Sequence, residues 1–414
     1  METLPNRPID QLLSELTELS KISEAEPPVV TRIVFSEADM RARSFVKDLC
    51  TDAGLAIRED AIGNTFARWE GSDPALAPIG TGSHVDAIPN AGMYDGCVGV
   101  LGGLEAIRVL KQMGFQPRRS IELVIFTAEE PTRFGIGCLG SRMMSGALSP
   151  AQASALRDKD GWGLDDLRAD AGFTGSLDSV ALRPGRFHQF VELHIEQGPL
   201  LEEQGIDLGL VTHIAAPASL RIVIEGEGGH AGGKLMPGRK DALVAAAELI
   251  LALEAAAKST GAVDTVGTVG VCEVFPGAVN SIPSRVRLEA DIRDIDRARR
   301  DCVIDALKTA CYDSATQRGV EIKTEVVNAD PPAACDAAIL AAMEEAAKSA
   351  GKTYKKMVSR AYHDTLFMAR VASVAMLFIP CRGGVSHRPD EYASPEWIGG
   401  GVRVLASTLA ALSA

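Results

Sequence analysis

Apolar and polar positions change rhythm along this chain. Residues 8–22 and 37–54 carry apolar side chains at helical spacing, the second run closing on Gly54. Short strand-like runs follow around Ile57, over Thr65–Trp69 and over Leu76–Ile79, the last leading into His84. Residues 98–113 form an apolar, glycine-punctuated helix whose small residues permit close packing, and Ile121–Thr127 is a core strand ending in Ala128-Glu129-Glu130. Such strand–helix alternation predicts a mixed or parallel sheet covered by helices, with its chemistry at the carboxyl ends of the strands. Glu129, Glu130 and His194 all stand directly after such runs. The stretch 147–180, rich in Gly and Asp, reads as a surface insertion of short helices.

Near residue 214 the rhythm changes. Residues 219–225 alternate as a half-exposed strand, 239–258 are helical, 265–275 and 284–292 are strands, and a helix over 296–318 precedes a strand over 320–327. This βαββαβ order is ferredoxin-like. After Asp330-Pro-Pro332, a helix over 335–350 and the strand Ala375–Ile379 rejoin the first domain. The expected architecture is α/β: a mixed-sheet domain (1–213 and 329–414) with an inserted ferredoxin-like α+β domain (214–328).

Composition narrows the function class. Nearly half of the 414 residues are apolar, and the formal charge of −13 argues against a nucleic-acid surface. Eight irregularly spaced cysteines without a Cys-x-x-Cys pair predict reduced thiols in a cytoplasmic protein. Met1 to Ser20 lacks a basic segment followed by an apolar one, so no signal peptide is expected, and no apolar run reaches membrane-spanning length.

The chemistry centres on Gly80-Thr-Gly-Ser-His-Val-Asp86 and Tyr94-Asp-Gly96. Asp86 is spaced to hydrogen-bond the His84 imidazole. Two divalent ions about 3.5–4 Å apart need a bridging carboxylate and further N/O donors on each side. Asp95 is the expected bridge, with His84 and His194 completing one ion's set, and Glu130 and His387 the other's. Such donors suit zinc, manganese, cobalt or nickel. Glu129 cannot easily ligate beside Glu130. It is placed instead as general base, then acid, for a metal-activated water attacking a carbonyl carbon. Singly, each residue has an ordinary structural reading; together, in Gly-rich contexts behind core strands, they point to a metal site. His188 and His213 read as structural, and Cys97, Cys138 and Cys381 as small buried hydrophobes.

Gly82-Ser-His-Val-Asp86, Tyr94-Asp-Gly96, Thr127-Ala-Glu-Glu-Pro-Thr-Arg-Phe134, Glu192-Leu-His-Ile-Glu-Gln-Gly-Pro199 and Gly228-Gly-His-Ala-Gly232 together resemble the M20-type metallopeptidase superfamily. Within it they resemble the amidohydrolase branch: allantoate, N-carbamoyl-L-amino acid, β-ureidopropionase-like and ureidoglycolate amidohydrolases. Ser359-Arg-Ala-Tyr-His-Asp-Thr365, Phe378-Ile-Pro-Cys381 and Ser386-His-Arg-Pro-Asp-Glu-Tyr-Ala-Ser-Pro395 most resemble the ureidoglycolate-acting members. Tyr362 stands where other members usually carry Gly, which narrows and polarises the pocket. The resemblance implies the same metal assignment with manganese as the usual ion, and a cis peptide after Asp95. It implies that Gln197 binds the ureido or carboxylate end of a small ureido acid, and that Asn280 and Arg293 grip the carboxylate. His230 would stabilise the oxyanion from the other subunit of a homodimer, which makes 214–328 a lid and dimerisation domain on a di-metal catalytic domain. Tyr362 and His363 would contact substrate or support the ligands. The implied activity is hydrolysis of the ureido C–N bond of (S)-ureidoglycolate; alternatives are N-carbamoyl-L-amino acid or allantoate hydrolysis, or a catalytically inactive binding protein on the same fold.

Overall fold

The computed structural model describes residues 9–414, so the first position of the helix expected over 8–22 lies outside the described residues. The chain divides into two compact units, one running to Thr212 and resuming at Ala334, the other spanning His213–Ala333.

The first unit is built on a mixed sheet. Its four central strands, Ser373–Ile379, Gln189–Ile195, Ile79–His84 and Ile121–Phe126, run parallel to one another. They are almost wholly buried, as expected of strands covered on both faces. Antiparallel strands flank them: Thr65–Trp69 and Ala56–Glu59 on one side, Leu208–Ile214 on the other. One face packs against helices Cys97–Gln112, Pro395–Ser413 and Ala337–Ser349. Helix Cys97–Gln112 lies close because it presents glycine to the sheet: a methyl group on Gly99 would stand 2.3 Å from the Leu193 carbonyl oxygen.

The other face carries a second core to which Leu148, Ala153, Leu164, Phe173, Leu177 and Val180 contribute. The 147–180 stretch therefore does form short helices, Pro150–Ser154 and Leu164–Asp170, but it is not merely a surface insertion. Its few apolar residues are anchors, and its polar majority hides them. Beneath it, Arg43 and Asp39, one turn apart on helix Glu37–Asp52, form a fully buried ion pair at 2.9 Å. Arg43 also donates to the Gly63 carbonyl and the Thr127 hydroxyl, two residues before Glu129.

The second unit is a four-stranded antiparallel sheet in the order Val266–Phe275, Arg285–Asp294, Ala216–Glu225, Glu321–Ala329. Helices Ala242–Ser259 and Arg297–Arg318 pack on its apolar face, giving the ferredoxin-like arrangement. The opposite face is a ladder of ion pairs, Arg285–Glu225, Arg287–Glu273 and Arg221–Glu289 among them. All eight cysteines are free, and among the described residues no helix is long and apolar enough to cross a membrane.

Gly82, in the strand that ends at His84, has φ of +141°, and a β-carbon there would fall 1.9 Å from the Val124 carbonyl oxygen. Neither the backbone nor the neighbouring strand can yield without disturbing the central pairing. Gly82→Ala should cost more than about 3 kcal/mol, read as a large fall in thermal midpoint or in soluble yield; a wild-type midpoint would refute this account of the strand.

Candidate active site

Every strand-borne site residue leaves the carboxyl edge of the parallel strands. His84 is the last residue of its strand and lies in register with Phe126, three residues before Glu129. His194 is paired with Phe378 on the neighbouring strand, and the segment after Ile379 turns out towards His387. Sheet pairing thus collects His84, Glu129, Glu130 and His194 at one edge, and the segment beyond Ile379 brings His387 to it.

At that edge Asp95 presents each carboxylate oxygen to a different set of donors. Oδ1 lies 3.5 Å from His84 Nε2 and 3.2 Å from His194 Nε2. Oδ2 lies 3.4 Å from His387 Nε2, which is in turn 3.3 Å from Glu130 Oε1. Two donors held about 2.1 Å from one tetrahedral ion are about 3.4 Å apart, so both triads, His84–Asp95–His194 and Asp95–Glu130–His387, have the spacing of a metal's ligand set. The tautomers agree. His84 Nδ1 donates to the Asp86 carbonyl at 3.0 Å and His194 Nδ1 to the Ile195 carbonyl at 2.9 Å, which turns each Nε2 lone pair towards Asp95. The residues present therefore fit two divalent ions sharing Asp95.

The electrostatics also call for cations. Burial pushes Asp95 up, but His194 and His84 outweigh it and hold the carboxyl well below its usual range. Burial lowers His84, yet Glu129, Asp95 and Asp86 carry it well above its ordinary value. His387 is raised to about 9 by its hydrogen bond to Glu130, against some desolvation. Burial drives Glu129 far above the usual carboxylate range; His84 opposes this, while Glu130, Asp364 and Asp86 add to it. Glu129 Oε2 is 3.7 Å from His84 Nε2, so the expected base stands beside the donor cluster without belonging to either triad.

Some expectations need correction. The Asp86 carboxylate does not serve chiefly as the partner of His84, from whose Nδ1 it stands 3.6 Å. It accepts the backbone N–H groups of Glu129 (3.2 Å) and Glu130 (3.0 Å), fixing both acids at once. No cis peptide follows Asp95: among the described residues those bonds lie at Pro27–Pro28 and Phe275–Pro276. Gly96 turns the chain instead, with φ of +64°, and a β-carbon there would sit 2.5 Å from the His84 ring. Gln197 donates to Asp95 Oδ2 at 2.7 Å. His363 packs edge-on against His194 at 4.7 Å between ring centroids and shares a 2.9 Å hydrogen bond with the Ser359 hydroxyl; burial, and then His194, push its pKa well below the usual imidazole value. Tyr362 stacks on Phe367 with the Arg142 guanidinium 5.6 Å from its ring, while Arg360 is exposed.

His230, Asn280 and Arg293 belong to the second unit, where the first two come together. The ladder between strands Ala216–Glu225 and Arg285–Asp294 continues outward through His230 paired with Ser281 and the Ala231 N–H donating to the Asn280 carbonyl at 2.8 Å. Arg293 lies near the opposite end, eight residues beyond Arg285, a span of about 27 Å. It is paired with Asp291 at 2.7 Å, while Asp294 takes Arg299. Asn280 and Arg293 of one copy therefore cannot both grip one small carboxylate.

Residues not anticipated surround the donors. Glu192 accepts from Ser83 at 2.7 Å and from the Thr365 backbone and hydroxyl. Glu391 accepts from the backbone of Tyr94 and Asp95. Ser386 hydrogen-bonds Asp95, and the Cys138 thiol donates to Glu129 at 3.3 Å. The one available signal was Glu192, a carboxylate inside the otherwise apolar run Phe190-Val-Glu-Leu193 and two residues from a ligand.

The family model of Peptidase family M20/M25/M40 matches residues 80–411. A ureidoglycolate hydrolase of Oryza sativa subsp. japonica is 51% identical, over 98% of this chain and 84% of its own length. An N-carbamoyl-L-amino acid amidohydrolase of Geobacillus stearothermophilus is 37% identical over 97% of each chain. Crystal structures of AtUAH, in complex with (S)-hydroxyglycine and with glyoxylate, superpose with a TM-score of 0.86 at 50% identity, covering 98% of this chain and 97% of theirs. The chain belongs to Peptidase family M20/M25/M40, in its amidohydrolase branch.

Proposed function

We infer that this protein hydrolyses the ureido C–N bond of (S)-ureidoglycolate. Water adds to the ureido carbonyl, the C–N bond to the glycolate carbon's nitrogen breaks, and hydroxyglycine leaves. The carbamate fragment falls to ammonia and carbon dioxide, and hydroxyglycine loses its own ammonia to give glyoxylate. The observation that carries this reading is Asp95 set between two donor triads with Glu129 beside them, in a chain half identical to a ureidoglycolate hydrolase.

His84, Asp95 and His194 would hold one divalent ion, and Asp95, Glu130 and His387 a second. Bound there, such ions polarise a carbonyl and make water more acidic. Glu129 takes the proton from the attacking water and delivers it to the leaving nitrogen. Its buried setting favours retention of that proton between the two steps. Asp86 keeps Glu129 and Glu130 at fixed positions through their backbone. Gln197, beside Asp95, is positioned to orient the polar end of the substrate. Manganese is the ion we favour from the resemblance to ureido-acid amidohydrolases, since imidazoles and carboxylates would equally suit zinc, cobalt or nickel, and eight free thiols support a cytoplasmic setting.

The lid unit completes the site in this reading. Because His230 and Asn280 stand together and far from Arg293, a single small acid meets all three when two copies contribute. We assign His230, with Asn280, to the partner in a homodimer, and Arg293 to the substrate carboxylate within the subunit, where a guanidinium suits a planar anion. An inactive binding protein on this fold would have no need of a complete donor set together with a buried base.

Chelation should abolish turnover, and Mn²⁺ should restore it best among divalent ions; full activity in protein shown by elemental analysis to be metal-free would end this mechanism. Glu129→Gln should keep metal and substrate binding while lowering kcat by ~10²–10⁴. Mixed with inactive His230→Ala protein, it should recover part of the activity, because one site of the heterodimer is intact; no recovery despite demonstrated subunit exchange would place His230 in its own subunit's site or outside catalysis. Ureidoglycolate should have a higher kcat/KM than N-carbamoyl amino acids or allantoate. Discrimination of ~10⁴ is available to a site that hydrogen-bonds the substrate hydroxyl, and Tyr362→Gly should relax the preference towards bulkier ureido acids. Faster turnover of N-carbamoyl-methionine or allantoate by the wild type would leave the amidohydrolase class and remove the narrower substrate.

A further inference from the structure

Unlike His84 and His194, His387 has no strand beneath it. It lies on the irregular segment between Ile379 and Pro395, its side chain is 45% exposed, and its φ is +59°, an unfavourable value for a residue with a β-carbon. The Asp95 turn, nearly three hundred residues earlier in the chain, is also irregular. Two such segments do not hold a shared geometry unless something fixes one to the other.

Glu391 spans them. It is 5% exposed, and its Oε1 accepts the backbone N–H of Tyr94 at 2.7 Å and of Asp95 at 3.0 Å. Those two amides precede the helix Cys97–Gln112 and belong to no sheet, so the carboxylate is what satisfies them in the interior. The turn is shaped to receive it, since a β-carbon on Gly92 would stand 2.4 Å from Glu391 Cβ. The Glu391 N–H bonds the Arg388 carbonyl at 3.1 Å, which closes the loop around His387. Tyr392 packs edge-on against Tyr94 at 6.1 Å between ring centroids, beside the same contact.

We propose that Glu391 is a positioning residue that fastens the His387 loop to the Asp95 turn and so builds the second metal set, Asp95–Glu130–His387, without touching metal or substrate. The inference rests on the two-ion reading given above. It is selective, because His84 and His194 are fixed by strands and by carbonyl hydrogen bonds that Glu391 does not reach. Loss of the fastening leaves His84 and His194 in place and frees the His387 loop, so the second set spreads more than the first, which shares only Asp95 with it.

The test is metal binding by the full-length protein, measured as Mn²⁺ stoichiometry and affinity by competition titration and elemental analysis. Circular dichroism and the thermal midpoint would be recorded on the same samples. Glu391→Ala should bind the first Mn²⁺ normally and the second 10–100-fold more weakly, the range seen when a partner of a metal ligand is removed. Glu391→Asp, one methylene shorter and less disruptive, should show the same selective loss to a smaller extent and serves if the alanine variant does not fold. Glu391→Gln keeps an oxygen for both amides and should bind both ions nearly as the wild type does. Wild-type affinity at both sites in the alanine or aspartate variant overturns the proposal, as does equal weakening of both sites. A wild type that takes up a single ion overturns the two-ion reading instead.

Discussion

A surplus of buried negative charge governs this structure. Asp86, Asp95, Glu129, Glu130, Glu192, Asp364 and Glu391 are each at least nine-tenths buried, with a few imidazoles as the nearest cationic partners. An isolated carboxylate in the interior is expensive, and only hydrogen bonds, protonation or a cation offset that cost. Here the carboxylates divide the three remedies among themselves. Asp86, Glu192 and Glu391 accept backbone amides or hydroxyls, although burial still raises Asp86 to about 6 and Glu391 to about 7; burial raises Glu129 and Asp364 towards the protonated form; Asp95 and Glu130 face imidazoles at ligand spacing. The first group thereby becomes the scaffold that orients the last.

That scaffold also bears local strain. Six non-glycine residues among those described have positive φ, and Ala128, Cys138, Gln197 and His387 all lie at or next to the site. Two of them are bracketed by something rigid: Ala128 by the strand Ile121–Phe126 and the Asp86 clasp on Glu129, Cys138 by the helix Leu139–Met144 that follows it. Strained conformations persist where the surroundings over-determine them, and four parallel strands buried on both faces supply that determination. The close glycine contacts of helix Cys97–Gln112 belong to the same logic, because they bring the helix that follows Asp95 hard against the strands bearing His84 and His194.

Much of this was legible in the sequence for a local reason. An apolar run that ends in a polar residue marks a strand and the edge at which it delivers that residue, so His84, Glu129, Glu130 and His194 could be read without coordinates. The ferredoxin-like order of the second unit could be read from periodicity in the same way. What could not be read were interactions whose partners lie far apart in the chain. Glu391 and Asp95 are 296 residues apart, and nothing near Glu391 announces backbone amides as its target. Asp86 was misjudged because two-residue spacing suggested a partner on the same strand, whereas its acceptors are taken by Glu129 and Glu130. Asn280 and Arg293 look close in sequence, yet an antiparallel strand carries the chain steadily away from Asn280. The stretch 147–180 misled through composition, since a handful of apolar anchors suffices to seat a mostly polar segment.

The same separation explains where members of one family can differ. Every carboxylate and imidazole at the carboxyl edge is committed to holding donors, amides or a proton, so changing any of them disturbs the shared chemistry and cannot merely retune a preference. Freedom remains in residues that approach the edge without carrying it. Tyr362 is one: it is next in sequence to His363, which leans on His194, but its ring is supported by Phe367 and the Arg142 guanidinium, outside the donor network. A side chain held by stacking can be replaced by glycine while the carboxylate clasps stay closed. In the proposed reaction, substrate preference would therefore be altered at Tyr362 at a cost in local packing, whereas the proposed chemistry is tied to the buried acids and to the strands that bring them together.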